Sequence, residues 1–127
     1  MIYLASPYSH PDAGIREQRF QAACRAAATL LRSGHCVFSP VVHSHPLVAH
    51  GLPTGWAFWQ HVDLEHLRWC DVVVVLMLEG WEESVGVQAE IRTARALGKP
   101  VRYLTLEEVT RSPTFAPLRR GLVGEAE

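Results

Sequence analysis

The sequence predicts an α/β fold: a doubly wound, Rossmann- or flavodoxin-like parallel sheet of four to five strands with helices on both faces. Three observations predict it. Strand-like and helical segments alternate in the order β-α-β-loop-α-β-α-β, a pattern that calls for right-handed crossovers between parallel strands. The strongest strand, Asp71 to Leu78, is a continuous apolar run and not an alternating one, so both of its faces are expected to be covered. The 127 residues suit one core, without an internal repeat or a linker.

The elements follow in order. Ile2 to Ala5 reads as the first strand, stopped by Ser6-Pro7-Tyr8-Ser9-His10-Pro11, where two prolines cannot donate to a ladder. From Asp12 to Arg32 the alanines and leucines recur at helical spacing, and Ser33-Gly34 ends that helix. Cys36 to Ser39 reads as a short second strand. Pro40 to Gly55, with Pro40, Pro46 and Pro53 among three histidines, reads as a long irregular loop of the kind that forms lids or binding loops. Trp56 to Trp69 is helical, opened by Thr54 or Gly55. After the Asp71–Leu78 strand comes a loop, then Ser84 as the cap of a helix running to about Leu97. Gly98-Lys99-Pro100 stops it, and Val101 to Leu104 is the fourth strand. Residues 1–127 thus form a single domain, with a tail over 105–127 that starts with a short helical piece and is expected to be partly mobile beyond Pro113 and Pro117.

Composition excludes several functions. Twelve Lys and Arg stand against thirteen Asp and Glu, a net charge of −1, so no nucleic-acid polymer is an expected partner. Three cysteines (Cys24, Cys36, Cys70) without a CxxC favour neither a disulfide framework nor a thiolate metal site. No stretch reaches the roughly 18 apolar residues of a membrane span, and the N-terminus lacks the features of a signal peptide. A cytoplasmic protein without membrane association is expected. No cofactor or metal is called for. His43, His45 and His50 invite a metal reading, but their spacing in a proline-bearing segment with no acidic or cysteine neighbour suits substrate contacts or a plain polar loop better.

In such a sheet, ligands bind where the strand order reverses, at the carboxyl ends of the strands. The loops after Ala5, Ser39, Leu78 and Leu104 therefore form the functional edge. The segment Ser84-Val85-Gly86 opens a helix there, and free helix amides with a serine hydroxyl make an anion cradle that Gly86 lets a ligand approach. Glu90 lies on a stripe with Val87, Ala94 and Leu97 that is expected to face the sheet. A carboxylate there must be protonated, catalytic or paired, for instance with Arg16 or Arg92. Asp63 shares a stripe with Trp56, Trp59, Gln60 and Leu67, an unusual setting for an aspartate. Arg16 and Arg19 open the first helix near the loop after strand one. Tyr3, Tyr8, Trp56, Phe58, Trp59 and Trp81 supply rings that either stack on a planar base or pack the core.

The ordered set Tyr3-Leu4-Ala5-Ser6, Val62-Asp63-Leu64-Glu65-His66-Leu67, Asp71-Val72-Val73-Val74 and Ser84-Val85-Gly86-Val87-Gln88-Ala89-Glu90-Ile91 resembles the nucleoside 2-deoxyribosyltransferase-like superfamily, within it most nearly the deoxynucleoside 5′-monophosphate N-glycosidases and a related branch. The resemblance implies Glu90 as the nucleophile on the anomeric carbon, Asp63 as the carboxylate that positions the sugar or handles the leaving base's proton, and Tyr3 as a tyrosine beside the nucleophile. Ser84 matches the serine of the nucleotide hydrolases, where the free-nucleoside transferases carry aspartate. Ser6, Ser9, Arg16, His43, His45, Trp56, Trp59 and Gly86 complete the expected substrate-binding set. Where those hydrolases carry a glycine-rich, arginine-bearing phosphate loop, this chain has Ser6 to Pro11, so phosphate contact shifts to Ser9 or Arg16 or is lost. The expectation is hydrolysis of a nucleoside 5′-monophosphate, of the deoxyribonucleotide kind, to free base and sugar phosphate. The alternatives are 2-deoxyribosyl transfer between bases and a nucleotide sensor without turnover. The small-molecule partner is thus a nucleotide or nucleoside, and the resemblance implies a homodimer or higher homo-oligomer.

Overall fold

A computed structural model describes residues 1–111; Pro113, Pro117 and the rest of the expected mobile tail lie outside the described residues. The elements are β1 (Ile2–Ala5), α1 (Ala13–Arg32), β2 (Val37–Phe38), α2 (Pro40–Val48), α3 (Trp56–Trp69), β3 (Val72–Leu76), α4 (Val85–Ala96), β4 (Val101–Leu104) and α5 (Leu106–Arg111). The four strands form one sheet in the order β2-β1-β3-β4, every pair parallel. This is the expected doubly wound α/β fold.

Alternation along the strands divides the core. Ile2, Leu4, Val72, Val74 and Leu76 face one side, where Ala26, Ala27 and Leu30 of α1 and Val109 of α5 cover them. Tyr3, Ala5, Val73 and Val75 face the other, under Leu67 of α3 and Val87, Ile91 and Ala94 of α4. All five residues of β3 and all four of β1 are buried, as a sheet covered on both faces requires. Tyr3 consequently points at α4, the helix that carries Glu90.

The segment after β2 is not the irregular loop that its prolines predict. Ser39 caps α2 by accepting from the Val42 amide at 3.2 Å, and Pro40 takes the first helical position, where no amide is needed. Val41 and Ser44 bury the inner side of that helix. β2 is accordingly shorter than Cys36–Ser39. β3 spans five residues and not the eight of Asp71–Leu78: Asp71 precedes it, its amide on the Met1 carbonyl at 2.8 Å and its carboxylate on the Met1 ammonium, and Met77 and Leu78 enter the next loop. Leu97, expected on the sheet-facing stripe of α4, is 47% exposed, since α4 ends at Ala96 and the chain turns through Gly98 at φ 73°. Gly55 opens α3 without a side-chain cap.

The strand order reverses between β1 and β3: the chain leaves β1 for β2 on one side, then returns to β3 on the other. The loops at the carboxyl ends of those two central strands diverge there and leave a crevice. Ser6 follows β1 directly into it.

Candidate active site

Three helices and one loop bring the predicted carboxylates together. Glu90 sits on the second turn of α4, 4% exposed, and Asp63 on α3, 6% exposed. Both line one cavity of about 530 Å³ with Ser6, Ser9, Trp56, Trp59, Ser84 and Gly86. Its walls are the β1–α1 loop, α2, the start of α3 and the first turns of α4.

Glu90 has no ion pair among the described residues, so neither Arg16 nor Arg92 neutralises it. Its partner is Tyr3, whose buried hydroxyl donates to Oε2. Burial pushes the Glu90 carboxyl up to about 8; the Tyr3 hydrogen bond opposes that rise and the Asp63 charge adds to it. Tyr3 itself is held well above the ordinary tyrosine range, first by burial, then by the charges of Glu90 and Asp63. Asp63 is pushed up to about 6 by burial, against the pull of His66 and His61. Its Oδ1 and the Ser6 hydroxyl are buried without a hydrogen-bond partner. Polar atoms in that state cost stability of order 1–3 kcal/mol each, and a bound ligand would satisfy both.

Ser84 caps α4 by accepting from the Val87 amide at 3.2 Å. The two amides before it, on Val85 and Gly86, precede the first intrahelical bond and are the donors left for an anion. A Cβ on Gly86 would lie 3.1 Å from the Trp56 ring, so glycine is what lets the indole rest on the first turn of α4. Trp59 donates its ring N–H to the Pro53 carbonyl at 2.7 Å, and Ser9 donates to the Thr54 carbonyl at 2.7 Å. These two bonds pin the α2–α3 connection over the cavity.

Three members of the expected binding set are elsewhere. Arg16 is turned back onto its own loop, donating to the carbonyls of His10 and Pro11, and does not line the cavity. His43 is exposed beside the Phe38 ring, which stacks on His66 at 4.0 Å. His45 is held behind the cavity wall by the Tyr8 hydroxyl at 2.7 Å and by Glu17 at 2.9 Å. The reason is common to both histidines: the segment is a helix, and α2 turns Val41 and Ser44, not its imidazoles, toward the crevice. No group of three His, Cys, Asp or Glu among the described residues could hold a metal ion.

Sequence reasoning missed Ser44, Gln60 and Glu83 as lining residues, and left Tyr8 only as one of several rings. It also missed the task of Arg19, which donates to the carbonyls of Ser9 at 3.0 Å and Glu79 at 3.1 Å and so ties the loops after β1 and β3 together. Ser39-Pro40, a cap followed by proline, was the available signal for α2 and hence for Ser44.

Fold and cavity together define a doubly wound α/β domain with a buried carboxylate pair, without an ion pair among the described residues, at its switch point. The family model described as Domain of unknown function (DUF1937) matches residues 1–106, and the chain belongs to that family. No curated protein matches the chain. No helix among the described residues is long and apolar enough to cross a membrane.

Proposed function

We propose that this protein cleaves the N-glycosidic bond of a nucleoside 5′-monophosphate, of the deoxyribonucleotide kind, releasing free base and sugar phosphate. One observation carries the reading: Glu90, buried without an ion pair among the described residues and held by the Tyr3 hydroxyl, lines the same cavity as a second carboxylate with an unpartnered oxygen. Cleavage of such a bond passes through an oxocarbenium-like state and needs one carboxylate to capture the anomeric carbon and one acid to release the leaving group. In this scheme an ionised Glu90 oxygen bonds to the anomeric carbon as the carbon–nitrogen bond breaks, and the base takes the Asp63 proton. Water then gives a proton to Asp63 and attacks the same carbon, freeing Glu90. Tyr3 orients the nucleophile through Oε2. The amides of Val85 and Gly86 and the hydroxyl of Ser84 are the groups available to a phosphate, whereas the Ser9 hydroxyl is already committed to the Thr54 carbonyl.

A second reading, 2-deoxyribosyl transfer on uncharged nucleosides, is favoured by one feature. The cavity lining includes Asp63, Glu83 and Glu90 but no Lys, Arg or His, so among the described residues a dianion finds no cationic partner there. A homodimer, which the resemblance to the deoxyribosyltransferase-like superfamily implies, is one source of such a partner. The test is incubation with a panel of nucleoside monophosphates and nucleosides, with bases resolved by chromatography. Base release from monophosphates that Glu90→Ala abolishes supports the lead. Base exchange on nucleosides alone supports transfer, and full release by Glu90→Ala refutes the mechanism.

A further inference from the structure

Behind the cavity wall lies a chain of three polar groups that the scheme above does not use. Glu17 of α1 faces the His45 Nε2 at 2.9 Å, and the His45 Nδ1 faces the Tyr8 hydroxyl at 2.7 Å. The His45 ring is clamped between Phe20, at 4.3 Å between ring centres, and the edge of Tyr8, at 5.4 Å. Tyr8 lines the cavity; His45 and Glu17 do not.

The roles follow from the donor inventory. A carboxylate only accepts, so Nε2 carries the proton toward Glu17, and in the neutral ring Nδ1 is then an acceptor. The Tyr8 proton goes to Nδ1. Burial holds the Tyr8 phenol above its ordinary value against the opposing effect of Arg16, so that proton stays on the oxygen. With its proton given to Nδ1 at 2.7 Å, the phenol oxygen keeps lone-pair capacity to accept from a ligand in the cavity that Tyr8 lines. We propose that Tyr8 is a substrate-contacting specificity residue of this cavity, its proton committed to His45 by Glu17, so that the phenol oxygen accepts a hydrogen bond from a ligand hydroxyl or amino group. The inference rests on the cavity being the substrate site. Glu17 and His45 are positioning residues: they select a ligand donor over a ligand acceptor at this wall without touching either.

The test is nitrogen-15 NMR of His45 in the full chain. Without ligand at neutral pH, the ring is expected as the Nε2–H tautomer with Nδ1 in the range of a hydrogen-bond acceptor; an Nδ1–H or doubly protonated ring overturns the relay. On titration with 2′-deoxyadenosine, 2′-deoxyuridine and their 5′-monophosphates, the Nδ1 signal is expected to move with at least one probe. No movement with any of the four overturns the contact. Glu90→Ala is expected to leave this response intact, so the inference and the proposed chemistry fail separately. In turnover, Tyr8→Phe is expected to raise KM about tenfold with kcat unchanged. Glu17→Ala should raise KM in the native background and have no effect in Tyr8→Phe; additive effects overturn the relay.

Discussion

The pH dependence of base release tests the proposed division of labour most directly. Glu90 must be ionised to attack, and its carboxyl is pushed up to about 8. Asp63 must hold a proton to release the base, and it is pushed up to about 6. Rate therefore gains as pH rises through the Glu90 value and loses as pH rises through the Asp63 value. With the two values in that order, the product of the two fractions is flat between them, at about 1% of molecules, and falls tenfold per pH unit on either side. The profile of kcat/KM is thus a plateau between limbs near 6 and 8. Since the Asp63 charge itself raises Glu90, the limbs belong to the pair. Asp63→Asn separates the roles. Only the Glu90 titration then remains, so the variant's profile should climb to an alkaline plateau and not descend, at a lower absolute rate. The assay is the initial rate of base release, resolved by chromatography, from about pH 5 to pH 9 for both proteins, the range over which such groups titrate. An Asp63→Asn profile that still falls above pH 8 would refute the assignment of Asp63 as the acid. So would a native profile whose acidic limb lies in the ordinary carboxylate range.

The same burial has a consequence for stability. Both carboxyls have raised folded-state values, so the native state binds more protons than the unfolded chain between about 4.5 and 8 for Glu90, and stability falls as pH rises through that window. Glu90→Gln should flatten this loss and raise stability at pH 8 by a few kcal/mol, read by urea denaturation across pH; equal pH slopes in the two proteins would exclude a buried, raised Glu90. Ser84→Asp keeps a helix cap that accepts from the Val87 amide but places a charge beside the Val85 and Gly86 amides. Release from monophosphates should fall by at least tenfold while any nucleoside activity is kept, and an equal loss on both would remove phosphate from those amides. Arg19→Ala frees the Ser9 and Glu79 carbonyls and should lower stability by about 1–3 kcal/mol. Faster hydrogen exchange in the loops after β1 and β3 would accompany it; unchanged exchange would show that Arg19 does not brace them.

Much of this architecture was legible because it depends on local pattern. The unbroken valines of β3, the alanine-rich stripe of α1 and the Ser84 cap each state a period or a turn that the chain can satisfy in only one way. Glu90 and Asp63 stood out for the same reason, as charges on faces that periodicity turned inward. The histidine segment was misread because three prolines suggested irregularity, whereas Pro40 at the first helical position favours a helix. Local sequence could not exclude a salt bridge for Glu90 either, because Arg16 lies 74 positions away (90 − 16) and its use on the His10 and Pro11 carbonyls depends on how one loop folds.

From the residues alone came the parallel α/β class, the run of strands and most helices, and two inward carboxylates, since all of these follow from spacing along the backbone. The sheet order, the lack of an ion pair for Glu90 among the described residues, the bond from Tyr3, and the placing of His45 behind Tyr8 were decided only by tertiary structure. Those are contacts between segments far apart in the chain, such as Tyr3 and Glu90 at a separation of 87 residues. Such a pairing has no period to announce it; it exists only once the core has closed and desolvated both partners.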